Sequence, residues 1–267
     1  MPKIKVQCPA KINQTLKVTG KRPDGFHNIE SIMQTINLYD YLTIEISHAD
    51  NLSITLSGTS EEIPYNEKNL VYKAAKMFFD EIRNYKYEVN VFIEKNIPVA
   101  AGLAGGSTDA AGTLFGLNKL LSFPFNNEEL HKLCAKLGSD LNFCLEGGRQ
   151  LTTGRGEILT PLEFEKSKIS LIKPLYLGIS AKEAYTKFSQ KMENDADGRD
   201  NYINDLEWAV IDDYSELQSI KSKYPKSIMS GSGSTYYIKD ENFEEQSGYF
   251  VKNNLETIPN GIKEVQA

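Results

Sequence analysis

The stretch Pro98-Val-Ala-Ala-Gly-Leu-Ala-Gly-Gly-Ser-Thr-Asp109 sets three glycines and two hydroxyl residues between a β-rich run at residues 89–93 and an apolar helical pattern. Ser107, Thr108 and Asp109 read as the helix start, because each can accept from the unpaired N–H groups of a first turn. Ala110, Ala111, Leu114, Phe115 and Leu117 follow at helical spacing. A glycine loop running into a helix N-terminus is an anion site: uncovered N–H groups approach phosphate oxygens, and the helix dipole adds partial positive charge. The loop lacks the lysine–hydroxyl ending of a P-loop and the glycine spacing of a dinucleotide fingerprint. Taken alone, these residues also fit a plain turn.

Working outward, the chain reads as an ordinary globular protein of 267 residues, 40% hydrophobic and 25% charged. A formal net charge of −6 argues against a broad nucleic-acid surface. No apolar run approaches transmembrane length, and Met-Pro-Lys-Ile-Lys-Val at the N-terminus has no apolar signal core, so the cytoplasm is the expected location. Cys8, Cys134 and Cys144 are too scattered for a disulfide framework or a zinc pattern and read as buried thiols. His27, His48 and His131 show no metal-ligand spacing. A monomer or weak homodimer, without nucleic-acid or membrane partners, is the expected state.

Local patterns predict the elements. Residues 4–6 and 16–18 are strand pieces; alternation at Leu42, Ile44 and Ile46 and at Leu52, Ile54 and Leu56 around Asp50-Asn51 predicts a hairpin. Leu70, Ala74, Phe78 and Ile82 share a helix face, with Asn69 as cap; Leu130, Leu133, Cys134 and Leu137 form a second stripe stopped by Gly138. Strands are predicted at residues 169–172, 178–179 and 236–238, and helices at 183–191, 205–223 and 243–252. Strands and helices without strict alternation indicate an α+β fold. A boundary near residues 155–165 divides the chain into domains 1–158 and 159–267, with no flexible linker, so that the halves pack tightly.

Three further segments are over-specified for turns: Pro9-Ala-Lys-Ile-Asn13, Gly138-Ser-Asp140, and the loop Met229-Ser-Gly-Ser-Gly-Ser-Thr235. Phosphoryl transfer needs a cradle for nucleotide phosphates, a group to take the proton of the attacking hydroxyl, and positive charge against the developing negative charge. Asp140 suits the second role. Lys11 suits the third, and beside Asp140 it would favour the ionised carboxylate. The bland alternatives are a helix-end turn residue for Asp140, a solvated lysine for Lys11 and a flexible hairpin for residues 229–235.

In combination these segments resemble the GHMP kinases. The glycine stretch matches that family's phosphate loop, and "PAKINQTL", "NEKNLVYKAA" and "SGSGST" occur in the family's order. "RPDGFHNIESIMQTINLYDYLTI", "GSDLNFCLEGGRQLTTGRGE" and "NDLE" at residues 204–207 are similar to the branch whose acceptor carries a cytidine diphosphate. The resemblance implies an N-terminal ATP-binding α/β domain packed on a C-terminal ferredoxin-like α+β domain. It implies ATP-dependent phosphorylation of the 2-hydroxyl of a cytidine-diphosphate-linked methylerythritol, in the non-mevalonate route to isoprenoids. On that basis Lys11 and Asp140 are the catalytic pair. Pro98, Val99, Ala100, Ala101, Gly102, Leu103, Ala104, Gly105, Gly106, Ser107 and Thr108 wrap the ATP phosphates, while Lys95 and Asn69 lie near the adenosine. Phe26 and Tyr185 stack on the cytosine, His27 reads its edge and Asn13 meets the acceptor diol. Mg2+ is expected with the nucleotide, with Ser107 as its protein contact. The chain departs from the family in having Phe26 for a common tyrosine, Ala181 for a threonine and Asn142 for a proline. Another small alcohol such as mevalonate or homoserine, or a kinase-like ligand sensor without catalysis, are the alternative readings.

Overall fold

The computed structural model describes residues 2–194 and 198–266. In chain order the strands and helices are β1 (Lys3–Asn13), β2 (Lys17–Lys21), β3 (His27–His48), β4 (Ser53–Gly58), α1 (Leu70–Ile82), β5 (Tyr87–Glu94), α2 (Gly105–Leu120), α3 (Asn127–Leu137) and α4 (Leu141–Glu146). Next come β6 (Arg149–Thr153), β7 (Ile158–Pro161), β8 (Lys168–Pro174), α5 (Ala181–Asn194), α6 (Asp205–Val210), α7 (Ser215–Lys223), β9 (Ile228–Met229), β10 (Tyr236–Lys239), β11 (Tyr249–Glu256) and β12 (Lys263–Val265). Eight of these strands form one sheet with central order β12-β1-β3-β5-β4, and four form a second, antiparallel sheet of order β11-β8-β10-β9. The α+β fold class predicted from the sequence is therefore present, with α1 to α4 serving the first sheet and α5 to α7 the second. No helix among the described residues is long and apolar enough to cross a membrane.

The helix signals in the sequence translate directly. Asn69 caps α1 by accepting from the Val71 N–H at 2.9 Å, and Gly138 closes α3. The pairing of strands does not follow from local alternation. β3 and β4 are not a hairpin: β5 lies between them, antiparallel to β3 and parallel to β4. Residues 178–179 are not a strand but coil, where Gly178 packs against Ala100. The predicted helix 205–223 is broken into α6, a short 3-10 turn and α7. The predicted helix 243–252 is absent. Residues 249–256 instead extend along β8, while Asn253 exchanges hydrogen bonds with the Phe243 backbone and pins the coil beside it.

One irregularity orients the site. Along β1, Ile4, Val6 and Cys8 pack beneath α2 in the first core. A register shift between Pro9 and Ala10 then re-aims the strand. Beyond it Ala10 and Ile12 enter a core between the two sheets, shared with Ala101, Leu103, Leu171 and Tyr237. Because side chains alternate along a strand, Lys11 and Asn13 are turned the other way.

Candidate active site

A cleft of about 1060 Å³ opens where the glycine loop, the ends of β1 and β2, and α5 converge. Its lining includes Lys11, Asn13, Phe26, His27, Asp140 and Tyr185. Pro98, Val99, Ala100, Ala101, Gly102, Ala104, Gly105, Gly106 and Ser107 line it too, together with Lys95 and Asn69. Leu103 and Thr108 are the exceptions among the named residues: Leu103 packs in the core between the sheets, and Thr108 is buried in α2.

Lys11 is 4% exposed. Its Nζ donates to Asn13 Oδ1 at 2.7 Å and lies 3.5 Å from Asp140 Oδ2. Asn13 is itself fixed, donating from Nδ2 to Ser31 Oγ at 2.8 Å. Asp140 sits at the start of α4, not at the end of a preceding helix, and its side chain makes no capping bond. The carboxylate is therefore free to face the lysine. Asn142, at the position where the resemblance leads to an expected proline, donates to the Glu157 carbonyl at 2.9 Å and ties the first turn of α4 to the turn at residues 154–157 by a hydrogen bond rather than by a ring.

The phosphate loop differs in one respect from its sequence reading. The helix begins at Gly105, ahead of the expected Ser107–Thr108–Asp109 start, because Ala104 adopts the left-handed conformation and turns the chain there. No side chain caps α2, so its leading N–H groups are not consumed by one. The loop is braced from behind. At Gly102 (φ +73°) a Cβ would lie 2.0 Å from the Ser230 carbonyl oxygen, so only glycine permits this approach. Ser230 Oγ donates to Gly102 O at 3.0 Å, and the Thr235 N–H donates to Ala101 O at 3.3 Å. The serine–glycine loop is thus the wall against which the phosphate loop rests.

Lys95 is held beneath Gly105 between two buried carboxylates, pairing with Asp40 and lying 3.1 Å from Asp109 Oδ2. Asp40 also accepts the N–H groups of Asn96 and Ile97 at 2.6 and 2.8 Å. Burial works against the charged ammonium, but the two carboxylates outweigh it and raise Lys95 above its ordinary value. With two acids for one base, burial pushes Asp109 up to about 8, against the pull of Lys95. Lys95 is consequently a strut under the loop as well as part of the cleft lining.

At the other end of the cleft, the turn at residues 22–26 presents Phe26 with 51% of its surface exposed. The Arg155 guanidinium covers one side of that ring at 4.9 Å. Tyr185, which lines the same cleft as Phe26, stacks on His27, with centroids 5.1 Å apart and planes 14° apart. His27 Nε2 lies 3.0 Å from Ser189 Oγ. Burial, helped by Lys21, lowers the imidazole below its ordinary pKa and favours the neutral ring, which can both donate and accept. Arg155, Ser189, Asp40 and Asn204 have no assigned role in the sequence reading. Three of them, Asp40, Arg155 and Asn204, lie within the quoted segments, and Ser189 lies in the predicted helix 183–191.

Among the described residues no cluster of three or more His, Cys, Asp or Glu side chains is arranged as a metal cage. The comparisons with known proteins agree with the geometry. The profile "GHMP kinases N terminal domain" matches residues 69–148, spanning α1, the phosphate loop and Asp140. A 4-diphosphocytidyl-2-C-methyl-D-erythritol kinase of Clostridium perfringens is 41% identical over 256 residues, covering 88% of this chain and 88% of the relative. The enzyme of the same name from Clostridium acetobutylicum is 37% identical over 271 residues, covering 92% and 94%. A crystal structure of 4-(cytidine 5'-diphospho)-2C-methyl-D-erythritol kinase superposes with a TM-score of 0.69 at 27% identity, over 88% of this chain and 89% of that one. Homoserine kinase from Cytophaga hutchinsonii shares the fold, with a TM-score of 0.70 at 15% identity over 99% and 98% of the two chains. The chain belongs to the GHMP kinase family of small-molecule kinases, in the branch of the 4-diphosphocytidyl-2-C-methyl-D-erythritol kinases.

Proposed function

We propose that the protein transfers the γ-phosphoryl group of ATP to the 2-hydroxyl of 4-diphosphocytidyl-2-C-methyl-D-erythritol. The observation that carries this reading is the Lys11–Asp140 pair, 3.5 Å apart, in one cleft with both a glycine loop at a helix N-terminus and an aromatic–imidazole cluster. Main-chain N–H groups at the start of α2 bind the phosphates. The acceptor's cytosine rests against the Phe26, His27 and Tyr185 group, and its diol meets Asn13. Asp140 takes the hydroxyl proton as oxygen attacks phosphorus in line with the leaving ADP. Lys11, buried and held by Asn13, offsets the charge that spreads over the transferring oxygens. Residues 1–158 supply the nucleotide side, and residues 159–267 supply the bracing loop and α5.

Mg2+ fits this donor set. It binds through few protein oxygens and keeps much of its water, so a cage is not required. Ser107 and Asp140 both bring hard oxygen donors to the cleft, and Ser107 is the residue that would hold the ion beside the phosphates. When bound, the ion neutralises phosphate charge.

The test is an ADP-release assay on the purified protein with a panel of alcohols: the cytidine diphosphate methylerythritol, mevalonate and homoserine. Turnover with the first alone is the expected result. Turnover with mevalonate or homoserine alone overturns the acceptor assignment, and no ATP consumption with any alcohol supports a ligand sensor.

A further inference from the structure

Asn204, the residue before α6, is fully buried and far from Lys11 in the chain. Its side-chain orientation is fixed by three partners. Oδ1 accepts from the Leu206 N–H at 2.9 Å, which caps α6. Nδ2 donates to the Met229 carbonyl at 2.7 Å and to the Gly231 carbonyl at 2.8 Å. Both donors of the carboxamide are therefore spent on one turn of the serine–glycine loop.

That turn abuts the reacting centre. Gly231 has φ +55°, and a Cβ there would sit 2.9 Å from Gly102 O and 3.2 Å from Lys11 Nζ. The Gly231 backbone thus limits where the Lys11 ammonium can move and where the phosphate loop can settle. The neighbouring residue, Asp205, faces the opposite way. It accepts from the Val18 N–H at 2.7 Å and pairs with Lys17 and Arg199, while its own N–H donates to Leu16 O at 2.9 Å. This anchors β2, the strand that leads into the Phe26–His27 turn. Two successive residues thereby bind α6 to both halves of the cleft, one to the nucleotide wall and one to the acceptor wall.

We propose that Asn204 is a positioning residue for phosphoryl transfer, holding the Gly231 turn against Lys11 and Gly102. It acts through backbone carbonyls and touches neither substrate, and the assignment rests on the kinase reading above. Its loss lets the turn retreat from the ammonium. The chemical step then slows while both substrates still bind.

Asn204→Ser separates this role from helix capping, because serine keeps an acceptor at the cap and removes the two amide N–H groups, which its single shorter hydroxyl cannot replace at both carbonyls. In steady-state assays with ATP and the cytidine diphosphate acceptor, kcat falls about tenfold or more, in keeping with two buried carbonyls left unpaired. KM for each substrate stays within about threefold, as expected when an interaction made in the transition state is lost. Gly231→Ala leaves Asn204 and its cap untouched and crowds the same ammonium as well as the Gly102 carbonyl, so kcat falls in the same way while only the KM for ATP rises with it. An unchanged kcat in either folded variant overturns the assignment. So does a rise in both KM values with kcat preserved, which marks a merely structural role. Failure of the unsubstituted protein to turn over this acceptor refutes the kinase reading instead, so the two failures are distinguishable.

Discussion

Replacing Asp140 by asparagine is the sharpest probe of the proposed chemistry, because the structure separates its catalytic from its structural cost. The side chain makes no capping bond at the start of α4, so the near-isosteric amide leaves that helix undisturbed. What is lost is the carboxylate facing Lys11 at 3.5 Å. For a fully buried pair, removing one partner costs about 3–5 kcal/mol. Asp140, however, keeps 28% of its side chain in solvent, and Lys11 retains Asn13 as an acceptor, so water screening brings the cost to about 1 kcal/mol. For a chain of this size that lowers Tm by about 2–4 °C. The kinetic effect is far larger: loss of the proton acceptor lowers kcat about 10²-fold or more, the scale of general-base catalysis. The phosphate loop and the acceptor clamp are untouched, so both KM values remain within about threefold. The assay is ADP release with saturating ATP and the cytidine diphosphate acceptor, paired with a thermal melt. A folded Asp140→Asn protein with near-normal kcat refutes the general-base assignment.

Lys11→Met should depress kcat while ATP affinity, measured by calorimetry, changes little; a loss confined to ATP binding recasts Lys11 as a nucleotide ligand. His27→Ala should weaken acceptor binding by about 1–3 kcal/mol, the cost of leaving a polar group on the base edge unpaired, with ATP binding unchanged; unaltered affinity for both ligands removes His27 from the base clamp. Gly102→Ala forces a Cβ at φ +73° onto the Ser230 carbonyl and should cost at least about 1–3 kcal/mol together with ATP affinity; a neutral melt contradicts the close packing of the two glycine loops. Asp109 gives a pH signature. Its folded-state pKa is raised from 3.8 to about 8, so between those values the folded protein binds more protons than the unfolded chain, and stability falls as pH rises. The slope from this one group is at most about 1.4 kcal/mol per pH unit. Asp109→Asn should flatten the fall in Tm between pH 6 and 8 (about the upper half of that window), and an unchanged slope would show that Asp109 is ionised throughout.

The features legible in the sequence are those decided locally. Asn69 and Gly138 mark helix ends because a cap is satisfied within a few residues, and the glycine stretch announces an anion site because uncovered N–H groups need no distant partner. The helix start was displaced to Gly105 because a left-handed Ala104 is unusual for a residue with a Cβ. Strand partners were not legible. Alternation at Leu52, Ile54 and Leu56 identifies a strand, yet nothing within it says that β5 will intervene before β3. Residues 243–252 carry apolar spacing compatible with either period, and only pairing with β8 selects the extended form. In the site, Lys11, Asp140 and His27 lie in motif segments, and Tyr185 follows from the family resemblance. Asp40 and Asn204 lie in quoted segments yet receive no role there, because a buried polar side chain that serves distant backbone groups leaves no periodic trace.

The pairing of β12 with β1 bears on how the chain folds. Val265, Glu264 and Lys263 lie opposite Lys5, Val6 and Gln7, so the strand that carries Lys11 gains its second neighbour from residues that follow the whole of the second sheet in chain order. Until those residues pair, β1 displays a row of unpaired amides and carbonyls along that edge, an invitation to wrong pairing with other chains. The first sheet is closed by a strand from beyond the second, so the two sheets cannot be completed one after the other in chain order.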